Sequence, residues 1–330
     1  MNIAVLGGGS WGTALAHVFA LGGHRVTMLV RKPEAAEEIT ERHTNERYLP
    51  GSLLSPALMA TIDPAAALAD ANIAILAVPC QSMRSFLLSV KDFLPKNAAL
   101  VCASKGLEKG THALMSRVVA EEMPHMATRY AILSGPSFAR EVVEGLPTAI
   151  VLGCLDAPLA AMLRHELSSA MFRVYSNPDV AGVECGGALK NVMALAAGMA
   201  DGLGFGHNSR AALITRGLAE MSRLGVALGG NAATFMGLSG MGDLVLTATG
   251  DLSRNRQVGM RLGKGEKLED IIASMRHVAE GVPTTEAVYD LARSLKIDLP
   301  ITFAMRAIIL GETDPRSAVR ELMQRELKDE

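Results

Sequence analysis

Met1-Asn2-Ile3-Ala4-Val5-Leu6-Gly7-Gly8-Gly9-Ser10-Trp11-Gly12 opens the chain, and its reading decides the fold. Residues 3–6 form an unbroken apolar run of strand length. That run meets Gly7-x-Gly9-x-x-Gly12, and residues 13–20 then place Leu15, Val18 and Phe19 on one helical face. Strand, glycine loop and helix in this order give the motif its meaning. Gly7 permits a tight turn, Gly9 lets the backbone approach a pyrophosphate, and Gly12 lets helix and strand pack closely. The first N–H groups of the helix, Ser10 and Trp11 among them, then face the phosphates along a favourable dipole. A glycine-rich turn of an ordinary α/β domain is the bland alternative; the context favours a dinucleotide site.

Outward from this unit, residues 24–30 read as a second strand ending in Arg31-Lys32. In a dinucleotide fold an acidic residue here would bond the ribose 2′-hydroxyl of NAD, whereas cations suit the 2′-phosphate of NADP. NADP or NAD is therefore expected, with NADP favoured, against the alternative of a solvated basic strand end. Further strands are expected at 58–62, 72–78, 98–103, 130–133, 149–152 and 172–175. Helical stretches fall between them, including a polar one over 34–47. The alternation predicts an α/β, doubly wound, mostly parallel sheet of Rossmann type. Ligands of such sheets lie beyond the carboxyl ends of the strands, which gathers Gly7, Arg31, Pro79, Lys105 and Gly135 on one rim.

Near residue 180 the texture changes to helical periodicity rich in Gly and Ala. An all-α second domain follows, so the expected division is 1–180 for the dinucleotide and 181–330 for substrate binding and catalysis. The length of 330 residues suits two cores, and the 49% hydrophobic content is enough to fill both. Aromatics make up only 4%, so Ala, Leu, Val and the 18 Met residues must do the packing. A net charge of −2 without a basic run speaks against nucleic acid and against an anionic membrane surface. Cys80, Cys102, Cys154 and Cys185 are scattered and form no C-x-x-C, which points to a reduced cytoplasmic setting and no structural metal. The long apolar stretch 180–200 contains Glu184, Lys190 and Asn191, poor material for membrane insertion.

Lys190 lies in an otherwise apolar helix, where an ammonium is costly unless paired. Burial could tune it for acid–base work; alternatively its stem lies along the helix and its head reaches water. Asp243, in Gly240-Met241-Gly242-Asp243-Leu244, is a carboxylate that could pair with Lys190 or simply close a turn. Ser253, Arg254 and Asn255 offer phosphate donors at a helix start, or else a capping serine before a surface arginine. His207, after Gly202–Gly206, reads as a loop histidine rather than a general acid, and Glu280 has no evident partner.

Together these residues resemble the bacterial NAD(P)-dependent glycerol-3-phosphate dehydrogenases nearly end to end. The stretches that carry the resemblance are 7–14, 103–108, 134–139, 186–191, 240–244 and 253–256. The resemblance implies that Lys190 is the catalytic acid/base. It implies that Lys105, Gly135, Ser137, Lys190, Asp243, Ser253, Arg254 and Asn255 hold glycerol 3-phosphate or dihydroxyacetone phosphate. Cofactor contacts are implied for Ser10, Trp11, Arg31, Lys32, Lys105, Ala139, Arg254, Val278 and Glu280, beside Gly7, Gly9 and Gly12. A homodimer that supplies glycerol 3-phosphate to phospholipid synthesis is implied as well. Two other readings share parts of this pattern: a hydroxyacid dehydrogenase with a carboxylate substrate, and a non-catalytic NAD(P)H sensor.

Overall fold

The computed structural model describes residues 1–275 and 279–326. Contacts divide the chain into two compact units. The first comprises Met1–Lys105 and Leu114–Glu184, and the second comprises Gly106–Ala113 and Cys185 onward.

In the first unit eight strands form one sheet: β1 (Asn2–Leu6), β2 (Arg25–Leu29), β3 (Leu58–Thr61), β4 (Ile73–Leu76), β5 (Ala99–Cys102), β6 (Tyr130–Ser134), β7 (Thr148–Gly153) and β8 (Phe172–Asn177). Their order is β3-β2-β1-β4-β5-β6-β7-β8. Ile3 lies opposite both Val26 and Ile73, and the pairings from β3 through β6 are parallel. The helices of this unit are α1 (Ser10–Leu21), α2 (Pro33–Glu37), α3 (Pro64–Leu68), α4 (Met83–Val90), α5 (Met115–Glu122), α6 (Ala139–Val143) and α7 (Ala157–Glu166). Strands β4, β5 and β6 are buried along their whole length, because helices cover a parallel sheet and leave no polar face to alternate with. β7 reverses direction against β6, and β8 then runs parallel to β7. Leu15 and Phe19 of α1 enter the core, and Phe19 meets Phe172 edge to face with ring centroids 6.0 Å apart.

The single polar helix expected over 34–47 does not form. The chain makes α2, widens into a π turn over Glu38–Arg42, and stops at His43 with φ 54°. The Glu38 carboxylate ends it by accepting from Thr44 Oγ1 at 3.1 Å and from the Glu46 amide at 2.7 Å.

Beyond β8 the chain is helical: α8 (Val180–Gly202), α9 (His207–Ala227), α10 (Ala232–Phe235), α11 (Asp243–Thr249), α12 (Arg254–Gly263), α13 (Leu268–Ser274), α14 (Gly281–Ser294), α15 (Pro300–Ile309) and α16 (Pro315–Met323). A π turn over Leu238–Gly242 leads into α11. Among the described residues no helix is long and apolar enough to cross a membrane.

Candidate functional site

The glycine loop of the first unit has the shape of a phosphate cradle. Gly7 has φ 128°, and a Cβ there would stand 2.5 Å from the Ala77 carbonyl oxygen. A Cβ on Gly12 would stand 2.1 Å from the Gly7 oxygen, so only glycine lets α1 start this close to β1. Around Gly9 the opposite holds: a Cβ would meet nothing within 4 Å, and the space above the backbone is open. Gly9 caps α1 without a side-chain hydrogen bond, which leaves the helix start suited to an anion. The Trp11 indole nitrogen is buried and lacks a hydrogen-bond partner. These features fit a dinucleotide pyrophosphate.

Asn45 braces the loop. Its amide donates to the Gly8 carbonyl at 3.1 Å and to Thr13 Oγ1 at 2.8 Å, and Ser10 Oγ donates to the Tyr48 carbonyl at 3.0 Å. Sequence reading missed Asn45, since nothing local marks a residue that acts 37 positions away. Arg31 and Lys32 are exposed just past β2. The strand end lies beside the loop, because the Gly7 amide donates to the Leu29 carbonyl at 3.0 Å.

Further along the same rim the ends of β5 and β6 meet. Lys105 Nζ donates to the Gly135 carbonyl at 3.1 Å, and Ser137 Oγ donates to the same oxygen at 3.0 Å. Gly135 has φ 133°, and a Cβ would approach Ile150 Cα at 3.0 Å, so the turn at this point requires glycine. Ser104 Oγ donates to the Val78 carbonyl at 2.5 Å and ties the β5 end to the turn after β4. Ala139 begins α6.

In the second unit the lysine is paired. Lys190 is 9% exposed, and its Nζ donates to Asp243 Oδ1 and, at 3.0 Å, to Thr247 Oγ1. Asp243 is fully buried and opens α11. Glycines make the meeting possible: a Cβ on Gly186 would lie 2.4 Å from the Ser239 carbonyl oxygen, and one on Gly240 would lie 2.2 Å from the Phe235 oxygen. Thr247 Oγ1 also donates to the Asp243 carbonyl at 2.6 Å, one turn back along α11. Sequence reading missed Thr247, although its position four residues after Asp243 places it on the same helical face.

Beside this pair stands a second cluster. Asn255 Nδ2 donates to Asn191 Oδ1 at 2.9 Å, and Asn255 Oδ1 accepts from the Gly281 amide at 2.9 Å. Asn191 follows Lys190 on α8 and was not singled out from sequence. Ser253 caps α12 by accepting from the Arg256 amide at 3.2 Å. Arg254 is the first residue of α12. By surface area it is exposed, yet burial of its guanidinium lowers its pKa and the nearby Glu280 carboxylate pulls it back up. Val278, expected at the cofactor, lies outside the described residues. His207 is not in a loop: it is the exposed first residue of α9.

A mostly parallel dinucleotide sheet with its glycine cradle, and a helical unit holding a buried lysine–aspartate pair, define a nicotinamide-dependent dehydrogenase of two units. Family models described as the N-terminus and the C-terminus of NAD-dependent glycerol-3-phosphate dehydrogenase match residues 2–160 and 179–320. The glycerol-3-phosphate dehydrogenase [NAD(P)+] of Oleidesulfovibrio alaskensis is 58% identical over the full length of both chains. The crystal structure of glycerol-3-phosphate dehydrogenase from Coxiella burnetii is 39% identical, with a TM-score of 0.93 over 98% of this chain and 99% of that one. D-mandelate dehydrogenase, 13% identical with a TM-score of 0.63 over 96% of this chain and 99% of that one, shares the fold alone. The chain belongs to the NAD-dependent glycerol-3-phosphate dehydrogenase family.

Proposed function

We propose that this protein interconverts dihydroxyacetone phosphate and sn-glycerol 3-phosphate with NADPH or NADH, and that it supplies glycerol 3-phosphate for phospholipid synthesis. The observation that carries the reading is the buried Lys190–Asp243–Thr247 cluster beside Asn191, Asn255 and Arg254. A bound nicotinamide supplies a hydride to the substrate carbon in one direction and accepts it in the other. Gly7, Gly9 and Gly12 with the start of α1 hold the pyrophosphate, and Arg31 and Lys32 meet the adenosine end. Trp11, Ala139 and Glu280 complete the cofactor contacts.

Arg254 and Asn255 bind the substrate phosphate, the arginine through its planar fork. Lys190 donates a hydrogen bond to the C2 carbonyl oxygen. As negative charge grows there, its ammonium stabilises the oxygen and hands over a proton. Asp243 and Thr247 hold the lysine head at one place, and the Asp243 carboxylate balances its charge. In the oxidative direction neutral Lys190 accepts the hydroxyl proton. Lys105, Gly135, Ser137 and Ser253 complete the substrate contacts. The working form is a homodimer in the cytoplasm, as the family resemblance implies; sedimentation would report its mass.

The test is the loss of reduced-nicotinamide absorbance with dihydroxyacetone phosphate added or omitted, using NADPH and NADH in parallel. Oxidation that depends on the ketone phosphate is expected. Equal rates with and without it would refute the reading.

A further inference from the structure

Two helices of the second unit lie almost backbone on backbone. A Cβ on Gly198 of α8 would stand 1.9 Å from the Arg256 carbonyl oxygen, and one on Gly259 of α12 would stand 1.9 Å from that of Leu195. Further along, a Cβ on Gly202 would stand 2.2 Å from the Met260 carbonyl oxygen, and one on Gly263 would stand 2.4 Å from that of Met199. Residues 198 and 202 thus meet 256 and 260 in the same order, so the two helices run in the same direction. Their N-terminal sides carry Lys190 with Asn191, and Arg254 with Asn255.

A buried ion pair locks this crossing. Arg256 Nε donates to Asp201 Oδ2 at 2.8 Å, and both side chains are 8% exposed. Asp201 Oδ1 accepts from Arg210 Nε at 3.0 Å, and Arg256 also donates to Asp251 at 2.7 Å. Helix-interior glycines and buried charges each lower stability compared with well-packed apolar residues. Their concentration at one crossing is a local departure from packing rules, which proteins keep where function needs a fixed geometry.

We propose that Asp201 and Arg256 are positioning residues. Through the close crossing of α8 and α12 they set the distance from Lys190 to the Arg254–Asn255 end. That distance selects ketone phosphates with one methylene between carbonyl and phosphate ester. This inference rests on the roles given above to Lys190 and Arg254.

The experiment compares kcat/KM for dihydroxyacetone phosphate and for its homologue with one additional methylene between carbonyl and phosphate. The proteins are the full chain, Gly198→Ala, Asp201→Asn and Gly263→Ala. A Cβ at residue 198 forces the helices apart by about 1 Å or more, a displacement able to cost about a hundredfold in rate. In Gly198→Ala the short substrate is expected to lose about a hundredfold and the long one far less, so their ratio moves at least about tenfold toward the longer substrate. Asp201→Asn and Gly263→Ala should shift the ratio the same way by less. A smaller folded fraction divides both values equally and leaves the ratio unchanged, so partial misfolding cannot imitate the effect. If Gly198→Ala yields no soluble protein, the other two variants decide. An unchanged ratio in Asp201→Asn, or in every soluble variant, overturns the proposal. An unmodified chain inert toward dihydroxyacetone phosphate would instead overturn the functional reading beneath it.

Discussion

Lys190 concentrates the chemistry at the residue scale. Its ammonium is buried only because Asp243 and Thr247 receive it, and removing one partner from such a pair strands the other charge. Lys190→Ala is expected to lower kcat for ketone reduction by about 10²- to 10⁴-fold, the range for losing a positioned acid. NADPH binding, measured by fluorescence titration, should be unchanged, and an undiminished turnover would remove Lys190 from the mechanism. Arg31 and Lys32 pose a different question, because exposed cations need no phosphate partner. Replacing both by Ala should weaken NADPH binding by about tenfold or more, the worth of a charge-assisted hydrogen bond, and leave NADH nearly unaffected. Equal losses for the two nucleotides would mean that these side chains do not read the 2′-phosphate.

At the scale of the element, helix ends and helix crossings decide what the chain can hold in place. α15 begins at Pro300, and Leu299 before it offers no side-chain acceptor for the free amides of the first turn. Glu220 of α9 takes that role. It accepts from the Ile301 amide at 2.6 Å, and from the Thr302 amide and hydroxyl at 3.1 Å each. Burial pushes its carboxyl up from the ordinary 4.5 to about 7, against the opposing pull of these donors and of Arg223. The folded protein therefore binds this proton more tightly than the unfolded chain does. The contribution is fully present below about pH 4.5, and is lost as pH rises through about 7. The window carries about 3 kcal/mol, at 1.36 kcal/mol per pKa unit. Denaturant titrations across this range should show a shallower slope in Glu220→Gln than in the parent protein, the remainder coming from groups such as Glu184, whose carboxyl burial also pushes up. α1 supplies the counterpart in the first unit: its start fits against β1 only because residue 12 lacks a Cβ.

For the whole molecule the useful observable is linkage. A nucleotide that binds only the folded protein stabilises it, by about 2.7 kcal/mol at a hundred times its Kd. Saturating NADPH should therefore raise the Tm of the parent chain and, by the same amount, that of Lys190→Ala. Gly12→Ala should lose the shift, since its added carbon collides with the Gly7 oxygen that shapes the cradle. A full shift in Gly12→Ala would detach the glycine loop from cofactor binding.

The sheet and its cradle were legible in the sequence for a physical reason. Strand, turn and helix depend on contacts between neighbours in the chain, so 3–12 could be read alone, and the alternation after it implied a mostly parallel sheet without giving its strand order. The bend at His43 was not legible, because it depends on one carboxylate capturing donors after the helix has begun. The site was legible as residue types and, for Asp243 with Lys190, as one possible pairing beside a bland alternative. Choosing between them was not possible locally, because the pairing spans 53 residues and needs Gly186 to let α8 approach the Ser239 backbone, while Gly240 lets that turn fold back on Phe235. Asn45, Thr247 and Asn191 left no comparable mark, since an ordinary polar residue gains its role only from what faces it. By itself the sequence determined the dinucleotide fold, whose causes are local. Tertiary structure alone decided which buried charges meet, because a side chain's partner is set by backbone approach and not by position along the chain.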